Sequence, residues 1–407
     1  MEGHKERGFI LWEVYSMKTL FMWPQEPFLP TSLFKHYVYM GETAASAKKA
    51  GSDVAVLDLS VSKISRKSFV DTIENSDLIF VAVEPYTALS SKKLVDSIRS
   101  VNSQKKIIGY GTAVTLSPKI FTQIFDYVIP SGFYQDVVPN IINGKNLKYD
   151  NQQISLETTP SQLNWNAPLL EVLPVSEYDV ISGGQLEINT QCGCLHNCSF
   201  CVEKRLFPKK AFYHRPPEQI SDFIESTNVS RYYIDATTFS QDRNWCINVC
   251  ERLSRIPKDF QWKTVTRIDC IDEEIAYWLN QGKCKQVSLG LETTSKRLQK
   301  SVRKNIEAEQ VERAISLLRE NNITPRALLI LGLPGQTAED VNDTLDFVKN
   351  HNIPARWKEY QPLEKAAEFS NLDEFRVFER DGFFFHDIPG ISKQQYMRIL
   401  IEHARQL

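Results

Sequence analysis

From Gly184 onward the chain repeats one pattern six times. A short apolar run of strand length is followed by a longer segment with helical periodicity. The runs fall at Gln185–Thr190, Tyr232–Asp235, Lys263–Ile268, Gln286–Gly290, Ala327–Leu331 and Arg356–Tyr360. The clearest helical segment, Ala308–Asn321, sets Val311, Ala314, Ile315 and Leu318 on one stripe. Strands joined in series by helices lie parallel, because a helical crossover returns the chain in the same direction. Residues 181–362 therefore predict a (β/α)6 partial TIM barrel, with functional groups at the carboxyl ends of its strands.

A second alternation precedes it. Thr19–Trp23, Asp53–Leu59, Asp77–Val83, Lys106–Gly111 and Tyr127–Pro130 read as strands, with helices at Gly41–Gly51 and Ser91–Val101. This predicts a Rossmann-like doubly wound sheet over 17–140. Residues 1–16 read as an irregular arm, and Met17 is an alternative start. Residues 141–180, rich in Asn, Gln, Pro and Ser, read as a linker. Residues 363–407 form a C-terminal extension closing with a helix from Lys393.

At 407 residues, with 42% hydrophobic and 24% charged residues, an α/β protein of two to three domains is expected. A net charge of −2 offers no broad basic field, so no nucleic-acid partner is expected. No apolar run is long enough to span a membrane. The charged start and the short apolar run broken by Glu13 do not make a signal peptide, so a cytoplasmic, reducing compartment is expected.

Cys194, Cys198 and Cys201 stand as C-x-x-x-C-x-x-C within INTQCGCLHNCSFCVEK, just after the first barrel strand. Three soft thiolates on one loop suit an iron–sulfur cluster and leave a fourth iron of a 4Fe–4S group open to an external ligand. Zinc, with His196 or Cys192 as fourth ligand, is the competing metal. Cys246, Cys250, Cys270 and Cys284 lie in apolar periodic segments and read as small core residues.

The cysteine triplet, IDATTFSQDRNW, KTVTRID, VSLGLETTSKRLQKSVRK and ALLILGLPGQT together resemble the successive strand-end motifs of the radical S-adenosylmethionine superfamily, over roughly 180–362. The segment before it, with VAVLDL, SDLIFVAV, KKIIGYGTAVTLSPKIF and FDYVIPSG, resembles the cobalamin-binding domain that precedes many such barrels. The resemblance implies a 4Fe–4S cluster, S-adenosylmethionine and cobalamin as cofactors. It implies a class B-like methyltransferase that uses a deoxyadenosyl radical on an unactivated carbon of a small molecule or peptide. An electron donor such as flavodoxin or ferredoxin would be its partner. Cobalamin-dependent rearrangement, cyclisation or oxidation is the alternative activity, followed by a cobalamin-independent radical enzyme and, as a non-enzyme, a metal-stabilised binding module. No cysteine precedes Cys192 to hold a second cluster.

Candidate site residues follow by position. Phe200 offers an apolar face beside the cluster for a purine, or shields the cluster from water. Asp235, Thr237 and Thr238 can receive an amino group, or cap the helix that follows. Arg267 can pair a ligand carboxylate, or Asp269 or Glu292. Glu292 can accept from ribose hydroxyls. Gly332 and Pro334 let backbone approach a flat ligand. Arg326, at the opposite end of its strand, carries no active-site role. Glu84, Gly109, Gly111 and Thr112, on strand-end loops of the first sheet, are the expected corrin contacts. A sequence D-x-H-x-x-G is absent, so an axial histidine ligand is not expected. His36 is expected on an exposed helix. Where relatives often carry proline after the first cysteine, Leu195 stands here. QPLEKAAEF replaces a common Pro-Gly-Thr turn.

Overall fold

The computed structural model describes residues 17–26, 33–207, 212–379 and 386–404. The arm expected at 1–16 lies outside the described residues. Seven strands form the first sheet: β1 (Lys18–Trp23), β2 (Asp53–Asp58), β3 (Leu78–Ala82), β4 (Lys106–Tyr110), β5 (Tyr127–Val128), β6 (Leu147–Asp150) and β7 (Gln153–Leu156). Their order is β2-β1-β3-β4-β5-β7-β6, and the first five run parallel. Every residue of β3 is buried, as expected of a strand covered on both faces. Strand order reverses between β1 and β3, the switch point where open α/β sheets leave a crevice at their carboxyl ends.

The expected linker at 141–180 is partly structure. β6 and β7 form an antiparallel hairpin that extends the sheet through Val128↔Gln153. Asn151 and Gln152, at φ of 44° and 67°, supply the two left-handed residues a tight hairpin turn requires. β6 is mostly exposed, so its sequence lacks the apolar alternation that would have marked it. A helix, Val175–Ser182, then ends at Gly183 in the left-handed conformation and delivers the chain to the barrel.

β8 (Gln185–Asn189) continues into β9 (Gln191–Gly193), which pairs antiparallel with β10 (Phe212–His214). β11 (Arg231–Asp235), β12 (Gln261–Arg267), β13 (Cys284–Glu292), β14 (Thr324–Leu331) and β15 (Ala355–Glu359) follow. The order β15-β14-β13-β12-β11-β8 is all parallel, so the expected (β/α)6 half-barrel is present. The helix Ala308–Glu320 buries the expected stripe and opens with a capping box between Glu307 and Gln310. Cys246, Cys250 and Cys284 are buried core residues, whereas Cys270 is partly exposed. The closing helix is Lys393–Ala404, and Tyr396 donates to the Leu331 carbonyl at 3.2 Å.

One apolar cluster runs through both sheets, from Phe21, Phe80 and Tyr110 to Ile188, Phe207 and Trp357. A polar clasp crosses the same junction. His36, expected on an exposed helix, is fully buried, because two carboxylates and an indole enclose it. Its ring stacks on Trp23 with centroids 3.9 Å apart, its Nδ1 meets Asp58 at 2.7 Å, and Glu26 lies 3.3 Å from Nε2. Tyr178, from the helix that enters the barrel, donates to the same Asp58 at 2.7 Å. Burial alone would push His36 down, but the hydrogen bond to Asp58 and the two carboxylates of Asp58 and Glu26 outweigh it and raise the ring to about 9.

A raised histidine contributes stability that is complete below its unfolded value of 6.5 and is lost as pH climbs through about 9. We expect the thermal midpoint to fall across that window, by an amount equivalent to roughly 3 kcal/mol of unfolding free energy, and His36→Gln to flatten the slope. A wild-type midpoint that stays level from pH 6.5 to 9 would contradict the clasp.

Candidate functional site

The cysteine loop starts from the β9–β10 ladder, at Gly193, whose φ of +77° turns the chain toward the barrel mouth. Thr237, at the end of β11, donates to the Gly193 carbonyl at 2.8 Å, and the Thr238 backbone N–H donates to Gln191 Oε1 at 3.0 Å. The capping role is filled instead by Asp242, which accepts from the Trp245 N–H at 3.0 Å. Glu203, just past the last cysteine, accepts from the Gly193 N–H at 2.8 Å and closes the loop on itself. Ser199 N–H donates to the Val302 carbonyl at 3.1 Å, pinning the loop to the segment after β13.

Cys198 is buried, and Cys194 and Cys201 are partly buried, at the carboxyl ends of the strands. Burial, with Glu203 adding repulsion, pushes the Cys201 thiol up to about 12. A cation stands against that trend: Arg267 Nη1 lies 3.8 Å from Cys198 Sγ. Beside the loop, the buried Nε2 atoms of His196 and Gln241 lack a hydrogen-bond partner among the described residues. Cys194 Sγ lies 3.8 Å from Gln241 Oε1. An all-thiol donor set on one loop, with a guanidinium at one sulfur and unpaired polar atoms around it, fits a cluster in which each thiolate holds its own iron. Among the described residues, no three His, Cys, Asp or Glu side chains converge as they would around a single ion.

Arg267 and Glu292 do not pair with each other. Arg267 grips Asp269 with two bonds, Nε at 2.9 Å and Nη2 at 2.7 Å, and Nη2 also reaches the Lys304 carbonyl at 3.2 Å. Glu292 pairs with Lys304 Nζ at 2.5 Å, both side chains almost wholly buried. Glu292 sits at a bulge with φ of +64°, a strained conformation for a side-chain-bearing residue. Lys304 was not foreseen. It arrives from the loop after the helix Lys296–Ser301, and only the fold brings it to β13.

Phe200 packs against Val302, Leu333 and Tyr360, the shielding placement, with Lys304 Nζ 6.0 Å from its ring centroid. Gly332, at φ +91°, binds its N–H to Gln336 Oε1 at 2.6 Å. The space that a side chain at Gly332 would fill is taken by His386, 2.5 Å from that position, so the glycine accommodates the C-terminal extension. Pro334 is exposed. Burial pushes the Asp235 carboxyl well above the usual range, against the hydrogen bond from Tyr233. Lys358 at the end of β15, another unforeseen residue, keeps solvent-accessible surface. Desolvation by the protein around it, with Arg356 adding repulsion, nevertheless pulls its ammonium down to about 8.

The carboxyl edge of the first sheet faces this mouth. Thr112–Leu116 forms a short helix, and from its end Ser117 Oγ donates to the Ala366 carbonyl. Gly132 N–H donates to Leu206 at 2.8 Å, and Phe133 meets Phe207 edge-on at 5.2 Å. Glu84 is buried in an ion pair with Lys35 and accepts from the Thr112 N–H at 3.2 Å. Thr112 also meets Tyr39 OH at 3.1 Å. Gly109 and Gly111 are not open to a macrocycle as expected. A side chain at Gly109 would strike the Phe125 ring at 2.5 Å, and one at Gly111 would meet the Val83 carbonyl oxygen at 2.6 Å. Their missing side chains make room for the fold itself.

The geometry predicts a specific pattern of energetic coupling. Double-mutant cycles should give strong coupling, on the order of 1–3 kcal/mol, for Arg267 with Asp269 and for Glu292 with Lys304. Coupling between Arg267 and Glu292 should be near zero, and a large value there would refute the two-pair arrangement.

Residues 188–348 match the Radical SAM superfamily. An uncharacterized methyltransferase of Pyrococcus horikoshii is 23% identical over 332 residues, covering 76% of this chain and 72% of that protein. The anaerobic magnesium-protoporphyrin IX monomethyl ester cyclase of Rubrivivax gelatinosus is 29% identical over 201 residues, 47% of this chain but only 36% of the cyclase. Among solved structures, the radical S-adenosylmethionine methyltransferase TsrM from Kitasatospora setae superposes with a TM-score of 0.66 at 17% identity, covering 86% of this chain and 75% of TsrM. The cobalamin-dependent S-adenosylmethionine radical enzyme OxsB superposes with a TM-score of 0.66 at 15% identity, covering 90% of this chain and 56% of OxsB. At these identities the superpositions establish the shared fold.

Proposed function

We propose that this chain, whose residues 188–348 form a radical S-adenosylmethionine domain, is a cobalamin-dependent enzyme that methylates an unactivated carbon of a small molecule or peptide. The observation that carries the reading is the opposition of two carboxyl edges. The thiol loop stands at one, and the crevice of a doubly wound sheet opens at the other. TsrM has been solved with cobalamin and a [4Fe-4S] cluster bound, and OxsB with aqua-cobalamin and S-adenosylmethionine.

Cys194, Cys198 and Cys201 would hold the cluster, with Arg267 moderating its negative charge. Thr237, the Glu292–Lys304 pair and Phe200 stand where S-adenosylmethionine would meet the open iron. Lys35, about a third exposed and paired with the buried Glu84, would stand at the switch-point edge where cobalamin would lie. Together the bound groups supply an electron, a carbon radical and a methyl group, while the protein positions the substrate and excludes water. The clasp at His36 and the shared core hold the two edges at a fixed separation. An electron donor of the flavodoxin or ferredoxin type would reduce the cluster. Ring closure is the second reading, favoured by the similarity to the cyclase of Rubrivivax gelatinosus.

Anaerobic reconstitution tests the assignment. Cys194→Ala, Cys198→Ala and Cys201→Ala combined should abolish bound iron and reductive cleavage of S-adenosylmethionine, while Cys192→Ala retains both. Near-full iron in the triple variant would sink it. With hydroxocobalamin in excess, the wild type should retain the corrin through gel filtration. Mass spectrometry of the product then separates the two activities: one added methyl group indicates methylation, and loss of two hydrogens without a methyl indicates ring closure.

A further inference from the structure

The half-barrel has an inner face as well as a helix-covered one. Leu186 and Ile188, Tyr232 and Ile234, Val287 and Leu289 are core residues facing the helices. By alternation, their neighbours Glu187, Tyr233 and Ser288 face the lumen. The same alternation sends Lys263 of β12, Arg326 of β14 and Arg356 of β15 inward, near the amino ends of their strands. Tyr233 is in register with both Glu187 and Lys263, and Lys263 Nζ lies 5.8 Å from its ring centroid.

Three cations thus face one carboxylate on the floor of the lumen, with Arg231 a fourth at the exposed rim. Arg326 is only 5% exposed, yet its Nε and Nη2 have no hydrogen-bond partner among the described residues. Glu187 gives one oxygen to Gln185 Nε2 at 3.2 Å, and its other oxygen is also unpartnered. Burial pulls Arg326 down, and Arg356 beside it pulls in the same direction. Lys263 is lowered by burial and by three arginines, Arg326, Arg356 and Arg231, against the attraction of Glu187. Buried guanidinium groups persist where something negative pairs them, and this floor holds too little negative charge of its own.

We infer that the lumen floor is a subsite for an anionic oxygen group, a carboxylate or phosphate carried by the substrate, gripped by Arg326 and Arg356 with Lys263 alongside. A planar guanidinium binds either group through two parallel N–H bonds. The inference rests on the reading that chemistry occurs at the barrel mouth. Lys263 and Arg267 are four residues apart on β12, so floor and mouth are separated by about 13 Å of strand. The substrate selected is therefore elongated, with its acidic group roughly that far from the reacting carbon.

Thermal unfolding of the reconstituted protein tests this with inorganic phosphate and with acetate, each against chloride at matched ionic strength. We expect a saturable rise in the midpoint with at least one of the two anions, and which one responds identifies the group. Arg326→Gln should start from a higher midpoint, because an unpaired buried charge is gone, and Arg326→Gln and Arg356→Gln should each weaken the anion response at least tenfold. A wild type indifferent to both anions, or variants that respond as the wild type does, overturns the subsite. Cleavage of S-adenosylmethionine is followed on the same samples. Protein that cleaves it but ignores the anions refutes the subsite alone, and protein that binds the anions without cleaving it refutes the reading beneath.

Discussion

The buried ion pair between Arg215 and Glu42 is the contact on which the arrangement of both sheets depends. Both side chains are fully buried, with Arg215 Nη2 2.8 Å from Glu42 Oε1. Arg215 also donates to the carbonyls of Asn189 at 2.6 Å and Asn166 at 3.1 Å. Glu42 accepts from the Asn189 N–H at 3.1 Å and from Gln135 Nε2 at 2.5 Å. Five stretches of chain meet there: the first helical segment, the helix Tyr134–Asn143, the loop before the barrel, the end of β8, and the residue after β10. Burial raises the Glu42 carboxyl to about 7, against the pull of Arg215. Breaking such a pair on one side leaves a bare buried charge and costs about 3–5 kcal/mol. The end of β8 is also where the chain turns toward the cysteines, so the same pair fixes the position of the thiol loop.

Charge at the barrel mouth is organised by neighbourhood. Arg267 is bound to Asp269, two residues away, and the pair sits against Cys198. Glu292 is bound to Lys304 across a helix. Each half is neutral by itself, so the space between them is not committed to either. A ligand carrying both an amino and a carboxyl group can meet either half without first breaking a bridge between them.

Features set by local chain chemistry were legible in the sequence, and those set by distant partners were not. The cysteine triplet and the strand ends that surround it are consecutive residues, and their spacing suffices. The six barrel strands announce themselves by apolar runs, as does the stripe of Ala308–Glu320. The hairpin of β6 and β7 was missed because its outer strand is mostly exposed and polar. His36 was misjudged because Asp58, Glu26 and Trp23 bury it, and nothing adjacent to it says so. Gly109 and Gly111 could be seen as small, but not which neighbour fills the vacated space. Arg326 was set aside as lying at the wrong end of its strand. That its Nε and Nη2 lack partners becomes visible only when β13 and β15 are placed beside its strand.

The apolar cluster that runs from Phe21 to Trp357 has a thermodynamic meaning for the chain as a whole. The other face of the first sheet packs a cluster of its own around Leu20, Ile79 and Phe121, closed by Phe375 and Phe378 of the C-terminal segment. The Phe21–Trp357 core belongs to both sheets, since residues such as Tyr178, Phe133 and Phe207 are buried by partners from the other half. Separating the halves would expose that surface to water together with the Arg215–Glu42 pair. The stability of each half therefore depends on the other across this seam, although the sequence divides them cleanly in two.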